Sequence, residues 1–250
     1  MVLFPFVSQG PRGLSHPEGM IETHTSVGVP PGHSYPLGCD VVHRAGERHT
    51  MLEILPGLTR IYEGWAEKYP DVRPLTVQFA ADGSTEGLNG VLAYPLEGHW
   101  LLVTFGLTEL GEKTSEEKRV SGAGFEFTCR IPREDGDETV PAWILRVLHA
   151  LASQFLAGTA LDVGHWIVTP APLGGEPANG DMTSLAIVPD VDIRVMDTDN
   201  GLVLFFQVVG LKTEEGEYAQ KADTVAPIVA LLRDRDPKMI TDPNRETIRL

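Results

Sequence analysis

The sequence predicts an α+β fold with a mixed, mostly antiparallel sheet and helices on both of its faces. Two segments, residues 99–107 and 201–211, are apolar on both faces, which is typical of central strands that are covered on each side. Predicted strands also outnumber predicted helices and mostly follow one another in runs, as antiparallel neighbours do. The 42% hydrophobic content of the 250 residues is sufficient for the core that such a sheet requires.

The spacing of apolar residues and the positions of proline and glycine predict the helices. Leu58, Ile61 and Trp65 are spaced as one face of a first helix. Pro141 suits the first turn of a second helix, and Gly158 suits its C-terminal cap. The predicted helices span residues 57–70, 141–158 and a run over about 214–235 that is broken near Pro227.

Apolar runs and period-two alternation, bounded by turn residues, predict the strands. Asp199, Asn200 and Gly201 predict a tight hairpin, because Asn and Gly tolerate positive φ. Residues 82–84 predict another turn, between the first two strands. The predicted strands span residues 75–80, 87–95, 99–107, 124–132, 165–170, 184–189, 192–198, 201–211 and 239–242.

Residues 1–50 differ in composition from the rest of the chain. They contain many prolines and glycines and five of the eight histidines, and neither helical nor strand periodicity persists there. Such a segment buries too little apolar area to offset its ordering entropy, so we expect it to be irregular and disordered. Residues 51–250 are the predicted folded domain, and Met51 is an alternative start of the natural protein.

The net charge narrows the classes of partner. The chain carries 35 acidic and 20 basic residues, and the first 50 residues hold four of these acids and three of the bases. The resulting net charge of −15 is repelled by nucleic-acid phosphates and by anionic membranes, so neither is an expected partner. A basic protein is attracted, although the same charge also serves solubility alone.

The cysteines and the hydropathy pattern indicate a compartment. Cys39 and Cys129 lie in different contexts, make no disulfide framework and fit a reducing environment. No apolar run approaches the roughly 20 residues of a membrane span. We therefore expect a cytoplasmic protein in which Cys129 is a small buried hydrophobe.

Motifs for catalysis and metal binding are incomplete. Residues 32–36 lack the second glycine of a nucleophile elbow. Cys39 and His43 form one pair of metal ligands, but the histidine-rich leader offers no second pair to complete a zinc site. Asp197 and Asp199 lack the third ligand and the distal glutamate of a calcium loop. We expect no catalytic residue, no metal site and no cofactor.

His99 and His165 support the alternative hypothesis of a small-molecule-binding or hydrolytic enzyme. Each follows a glycine, precedes a tryptophan and begins a predicted strand. Neither has a carboxylate or a nucleophile at a characteristic spacing, so structural hydrogen bonds are the preferred interpretation of both. The enzyme hypothesis requires the two side chains to converge on one pocket.

A charged loop over residues 108–121 joins two well-marked strands, and we place the partner-binding residues there. Loops held on a rigid sheet concentrate recognition, and mixed charge sets partner specificity. A solvated loop without a partner is the alternative interpretation. The candidate residues are Glu109, Glu112, Glu116, Glu117, Lys118 and Arg119.

Short motifs occur in the same order as in one known family. They include His99-Trp100, Phe105-Gly106-Leu107, Gly122-x-Gly124-Phe125-Glu126, Gln207-Val208-Val209-Gly210, Thr213-Glu214-Glu215 and Ile240-Thr241-Asp242. Through these motifs residues 57–249 resemble the Suppressor of fused (SUFU) domain. The resemblance implies a SUFU-like α/β/α sandwich and a protein that binds other proteins without catalysis.

The resemblance also indicates a kind of partner. Animal members of the family clamp an extended peptide of GLI transcription factors between this domain and a second, C-terminal one. We expect no such clamp here, because the chain ends at Leu250 and Lys118 lies roughly where the family has an acidic contact. Stand-alone bacterial SUFU domains resemble immunity proteins that block a cognate toxin. Together with the acidic charge, this predicts an immunity-type protein whose partner is a basic toxin.

Overall fold

The computed structural model describes residues 7–9, 55–79, 88–174 and 181–249. Within them nine strands form one sheet, and four helices pack against it. The strands are β1 (Val7–Gln9), β2 (Leu75–Gln78), β3 (Gly90–Leu96), β4 (His99–Phe105), β5 (Val120–Pro132), β6 (Trp166–Val168), β7 (Met182–Pro189), β8 (Val195–Thr198) and β9 (Gly201–Lys212). The helices are α1 (Pro56–Lys68), α2 (Ala142–Leu156), α3 (Thr213–Ala222) and α4 (Ala226–Arg235).

The sheet is mixed and mostly antiparallel, as the sequence predicts. Its strand order is β1-β6-β7-β9-β5-β4-β3-β2, and β8 pairs with the first residues of β9. The central strands β5 and β9 run parallel, whereas the other strand pairs in the described residues run antiparallel. The α+β class is therefore confirmed.

Helices cover both faces of the sheet. Side chains alternate between the faces along each strand, so the apolar residues of one strand pack against helices on both sides. Phe206 and Val208 of β9 pack in the layer that contains α2. Phe205 faces the opposite layer, where α1 covers β3, β4 and β8. Val209 faces that same side farther along, where α3 and α4 cover β6, β7 and the end of β9. This arrangement confirms the predicted helical layers.

Aromatic packing fixes α1 on the sheet. Pro56 occupies the first turn of the helix, where its missing N–H leaves no hydrogen bond unmade. Trp65 is fully buried, and its ring centroid lies 5.4 Å from that of Phe205 in an edge-to-face arrangement. Tyr69, just after the helix, stacks 6.4 Å from Trp65. The end of α1 is thereby held close to the central strands.

Strand β5 begins four residues before its predicted start. The register between β5 and β9 shifts between Val120 and Phe125, which is a bulge. Gly122 and Gly124 have φ values of +51° and +83°, which favour glycine. The bulge interrupts period-two alternation, so the sequence pattern begins only at its far side.

The predicted strand at residues 239–242 is wrong, since this segment is irregular. The ladder between β5 and β9 ends at Cys129 and Val208, and beyond that point Thr241 lies between the two strands. The Thr241 N–H donates to Arg130 O at 2.7 Å, and its Oγ1 accepts the Gly210 N–H at 3.0 Å. We call this place the β5–β9 fork. One residue bridges it, where the sequence predicts a strand.

The structure tests the predicted helix break near Pro227 but not the predicted turn at residues 82–84. The break near Pro227 is confirmed, because α3 ends at Ala222 and α4 begins at Ala226. The predicted turn at residues 82–84 lies outside the described residues. No helix in the described ranges is long and apolar enough to cross a membrane.

The leader contains one short strand, where the sequence predicts irregular chain. Residues 7–9 form β1, which pairs antiparallel with β6 at the edge of the sheet. Residues 10–54 lie outside the described residues, and with them the incomplete metal ligands Cys39 and His43. The disordered leader and the alternative start at Met51 therefore stay predictions.

Candidate interaction surface

A fully buried carboxylate, that of Glu126 on β5, anchors the base of the charged loop. Its Oε1 accepts the Gly106 N–H at 3.0 Å, the Thr108 N–H at 2.8 Å and the Thr108 hydroxyl at 2.7 Å. Its Oε2 accepts the Thr104 hydroxyl at 2.6 Å. Burial raises the pKa of Glu126, and these hydrogen bonds oppose the rise. The loop therefore leaves β4 in a fixed direction.

Glu109, one of the predicted partner-binding residues, folds into the loop. Its carboxylate accepts the N–H groups of Thr114, Ser115 and Gly122, and Lys113 Nζ lies 3.2 Å from its Oε2. Burial opposes ionisation, but the donors outweigh it and lower the pKa of Glu109 to about 2. Glu109 is thus the internal anchor of the loop, and its contact with a partner stays a prediction.

Further hydrogen bonds join the loop to the turn between β8 and β9. Lys113 Nζ donates to Asn200 O and to Val120 O, each at 2.8 Å. In return, Asn200 Nδ2 donates to Glu109 O at 2.9 Å and to Gly111 O at 2.7 Å. Loop and hairpin therefore form one connected surface.

The other five predicted residues are exposed on this surface. Glu117 and Arg119 are close enough to interact, with Oε1 and Nε 3.6 Å apart, but their side chains are 59% and 88% exposed. An ion pair this exposed contributes little to stability, so both side chains remain available to a partner. Their binding role stays a prediction. The five residues are Glu112, Glu116, Glu117, Lys118 and Arg119.

An apolar patch on the hairpin was missed by sequence reasoning. Val195, Leu202 and Leu204 are 50%, 44% and 42% exposed. Val195 lies opposite Leu204 in the ladder, and Leu202 is two residues away on the same face. We call these three residues the hairpin patch. The prediction that residues 201–211 are covered on both faces is wrong at this end, because the layer that covers Phe206 leaves the patch open.

His99 and His165 do not share a site. His99 begins β4, whereas His165 precedes β6, and the strands β5, β9 and β7 lie between them. Four spacings of about 4.8 Å separate β4 from β6 by roughly 19 Å. The convergence that the enzyme hypothesis requires is absent. In the described ranges, no group of three His, Cys, Asp or Glu residues is placed to hold a metal ion.

Cys129 is a buried free cysteine, as the sequence predicts. Burial raises the pKa of its thiol to about 12, so the thiolate does not form at neutral pH. The residue belongs to the apolar layer that contains α2.

Comparison with known proteins agrees with the motifs and the fold. The family model described as Suppressor of fused protein (SUFU) matches residues 84–246. This chain belongs to the Suppressor of fused family. The Suppressor of fused homologs of Homo sapiens and Mus musculus are each 31% identical to it over 216 residues. These matches cover 77% of this chain, which spans 44% of the length of each of these two relatives.

Solved structures of the family share the architecture. The crystal structure of Drosophila Suppressor of Fused superposes with a TM-score of 0.69 at 25% identity, covering 78% of this chain and 51% of that one. A chain of the Sufu–Fu complex crystal structure superposes with a TM-score of 0.67, also at 25% identity. This match covers 77% of the present chain and 91% of the other. In that complex a family member binds a protein.

The SUFU signature motif has a structural role in this protein. A Cβ at Gly122 would lie 2.9 Å from Leu107 O, and one at Gly124 would lie 2.6 Å from a methyl carbon of Val120. Both glycines therefore allow close approach as well as positive φ. The glutamate of the same motif, Glu126, anchors the turn after β4. The motif builds the base of the charged loop.

The same SUFU domain contains an ion cluster with a buried centre, which we define as Arg130, Asp190, Asp192, Tyr69 and Lys238. Arg130 donates to Asp190 Oδ2 at 2.8 Å and to Asp192 Oδ2 at 2.7 Å. Asp192 also accepts the Tyr69 hydroxyl at 2.7 Å and Lys238 Nζ at 2.8 Å. Burial opposes the ionisation of Asp192, yet its three donors lower its pKa. The cluster joins β5, the end of α1, the segment before β8 and the segment after α4.

Proposed function

We propose that this protein is a non-catalytic binding protein of the cytoplasm, which captures a basic protein toxin and blocks it. One observation carries the proposal. Five exposed charged side chains lie on a loop that Glu109, Lys113 and Asn200 hold in one conformation. A loop that is ordered before binding loses little conformational entropy on binding, so more of the contact energy appears as affinity.

The family supports protein binding as the activity. In the Sufu–Fu complex, the chain that matches this fold over 91% of its own length is bound to a protein. The proposal extends protein binding from that family member to this chain. Catalysis has no comparable support, because three strands of the sheet separate β4, which begins at His99, from β6, which follows His165.

Electrostatics support a basic partner. The protein has a net charge of −15, which attracts a cationic protein over distances near the Debye length and accelerates encounter. Fast capture matters for a toxin, since the toxin acts on the cell until it is bound. Glu112, Glu116 and Glu117 would meet the basic surface first, because they project from the loop.

The first test is a pull-down from the native host with the tagged 250-residue protein, in about 0.1 M and then about 0.5 M salt. We expect one stoichiometric basic protein, identified by mass spectrometry, whose recovery falls at the higher salt concentration. Recovery of no partner at either salt concentration would contradict the proposal.

A matched pair of variants tests the loop. The variant E112K/E116K/E117K reverses three exposed charges on the loop. The control E134K/D135K/E138K makes the same change in charge on the exposed turn between β5 and α2. We expect the loop variant to weaken the captured complex by about 10-fold or more, and the control by much less. At about 0.1 M salt, charges more than about 10 Å from the interface are largely screened and add little to binding. Equal losses would mean that net charge alone drives binding.

Neutralisation needs its own measurement. The captured protein is expressed from an inducible promoter in a test strain, with and without the SUFU protein. We expect growth arrest that the wild-type protein relieves and the loop variant relieves poorly. A captured protein that is harmless when expressed alone would support protein binding but would contradict the proposal that the partner is a toxin.

A further inference from the structure

The hairpin patch gathers exposed apolar side chains in one place. Seven large hydrophobic residues are exposed in the described ranges, and three of them, Val195, Leu202 and Leu204, belong to the patch. Single exposed apolar residues are ordinary on protein surfaces, whereas neighbouring ones mark contact sites. The patch therefore needs an explanation that the charged loop does not supply.

The patch lies on a hairpin whose other face packs against α1. Met196 and Val203, on the opposite face of the two strands, are buried against α1. The Thr198 hydroxyl donates to Gly201 O at 2.7 Å across the turn. The Leu202 N–H donates to Arg119 O at 2.9 Å, which joins the patch directly to the charged loop. An ordered apolar centre beside a charged rim is the usual anatomy of a protein interface.

On the strand face that carries the patch, the charged side chain of the hairpin is acidic. Asp197 and Asp199 are exposed on the hairpin, and residues 195–204 contain no lysine or arginine, while the exposed Arg194 and Arg119 border it. Asp197 lies opposite Leu202, on the same face as the patch. A second copy of the chain would bring the same acids and a charge of −15 to this face, so it is repelled.

We infer that the hairpin patch binds an apolar segment of the partner that also carries basic side chains. The apolar side chains of this segment cover Val195, Leu202 and Leu204, and a basic side chain meets Asp197. The inference rests on the proposed function for the identity of the partner, and it adds a surface that the charged loop does not contain.

Peptide titration tests the surface before any partner is known. The probe is the capped peptide Lys-Leu-Lys-Leu-Lys-Leu-Lys, added to the isotopically labelled 250-residue protein and followed by NMR. In an extended peptide alternate side chains point to opposite sides, so the three leucines can face the patch together, and the lysine side chains are long enough to reach back to Asp197 beside it. The comparison peptides replace every leucine by serine, which keeps the charge, or every lysine by glutamate, which keeps the apolar side.

The variant L202S/L204S removes most of the patch, and L156S/L231S removes two comparably exposed leucines from α2 and α4. We expect the Lys-Leu peptide to bind wild type and the L156S/L231S control alike, with shifts at residues 195–204. Its dissociation constant should rise about 10-fold in L202S/L204S and about threefold in Asp197→Asn. The serine and glutamate peptides should bind more weakly than the Lys-Leu peptide.

Several results would overturn the inference. Equal binding of the leucine and serine peptides would mean that charge alone attracts them, and unchanged binding to L202S/L204S would place the contact elsewhere. A dimer in sedimentation that L202S/L204S abolishes would assign the patch to a second copy. If the captured host protein binds L202S/L204S as tightly as wild type but not E112K/E116K/E117K, this inference fails while the proposed function stands. If wild type captures nothing, the proposed function fails, and the peptide titration still decides the surface.

Discussion

Arg130 of β5 and Asp190, just after β7, form an ion pair with Nη1 and Oδ2 2.8 Å apart and both side chains fully buried. Asp190 also accepts the Thr128 hydroxyl at 2.6 Å and the N–H groups of Asp192 and Ile193. Its acceptors are therefore well used, which is the condition under which a buried pair is tolerated. The pair fixes the segment before β8, and through it the position of the hairpin.

Removing one member of this pair should be costly. We expect Arg130→Met to lower the free energy of unfolding by about 3–5 kcal/mol, because two buried carboxylates lose their guanidinium partner. The matched control is Arg119→Met, whose exposed side chain should change stability by less than about 0.5 kcal/mol. Chemical denaturation at neutral pH measures both. A loss below about 1 kcal/mol in Arg130→Met would contradict the role of the cluster.

Glu109 should give the loop an acid-sensitive stability. Its pKa is about 2 in the folded protein, against 4.5 as the ordinary value. The stabilisation from ionised Glu109 is therefore complete above about pH 4.5 and is lost as the pH falls towards 2. We expect wild type to be more stable than Glu109→Gln near pH 7, with the difference shrinking at about pH 3. A difference that does not change with pH would refute the assignment.

Glu126 should tolerate an amide better than a hydrocarbon. In Glu126→Gln the amide oxygen still accepts the N–H groups of Gly106 and Thr108, so we expect a loss of about 1 kcal/mol. Glu126→Leu leaves both N–H groups buried without an acceptor, and the loss should exceed about 3 kcal/mol. Urea titration of the two variants gives the order, and a Gln variant as unstable as the Leu variant would contradict it.

His99 should make stability fall under mild acid. Burial lowers the pKa of His99, and the charges of Arg130 and Lys238 act in the same direction, while the Glu97 carbonyl and Asp236 oppose them. The unfolded chain therefore binds a proton near pH 6.5 while the folded protein does not, so stability declines as the pH falls below about 6.5. His99→Asn should flatten the profile between about pH 7.5 and 5.5. An unchanged slope would assign the decline to other groups.

Arg245 should hold the segment that follows α4. It donates to Glu215 Oε1 at 2.7 Å and to Gly210 O at 3.0 Å, and Glu215 is fully buried. We expect Arg245→Met to speed amide hydrogen exchange in residues 236–249 by about 10-fold or more, since the segment opens without global unfolding. The control Arg233→Met, on the exposed side of α4, should leave that exchange unchanged. Unchanged exchange in Arg245→Met would show that the ion pair does not hold the segment.

Local signals account for what the sequence predicts correctly. The tight turn at Asn200 and Gly201 is confirmed, because its chemistry depends on neighbouring residues, and Gly201 has a φ of +108°. The central strands are confirmed for the same reason, since apolar runs and alternation of apolar and polar residues can be recognised within a few consecutive residues. The motifs that carry the family resemblance are equally local, and Glu126 belongs to one of them.

What the sequence missed depends on contacts between distant segments. The strand that carries Leu202 and Leu204, β9, has the sequence pattern of a buried strand, and the exposure of these two leucines reflects how far the covering layer extends. Glu109 looks like a surface charge, but the fold of its loop brings three backbone N–H groups to its carboxylate. Thr241 looks like part of a strand, yet it lies between two strands that already have other neighbours.

The β5–β9 fork has a consequence for the making of the protein. Synthesis proceeds from the N-terminus, so β5 and β9 leave the ribosome before Thr241 and Arg245 do. Until those residues emerge, Arg130 O and both backbone groups of Gly210 lack the partners that they have in the finished molecule. A nascent or prematurely terminated chain therefore exposes open strand backbone, which chaperones and proteases recognise. The hydrogen bonds at the fork can therefore form only after Thr241 and Arg245 have been synthesised.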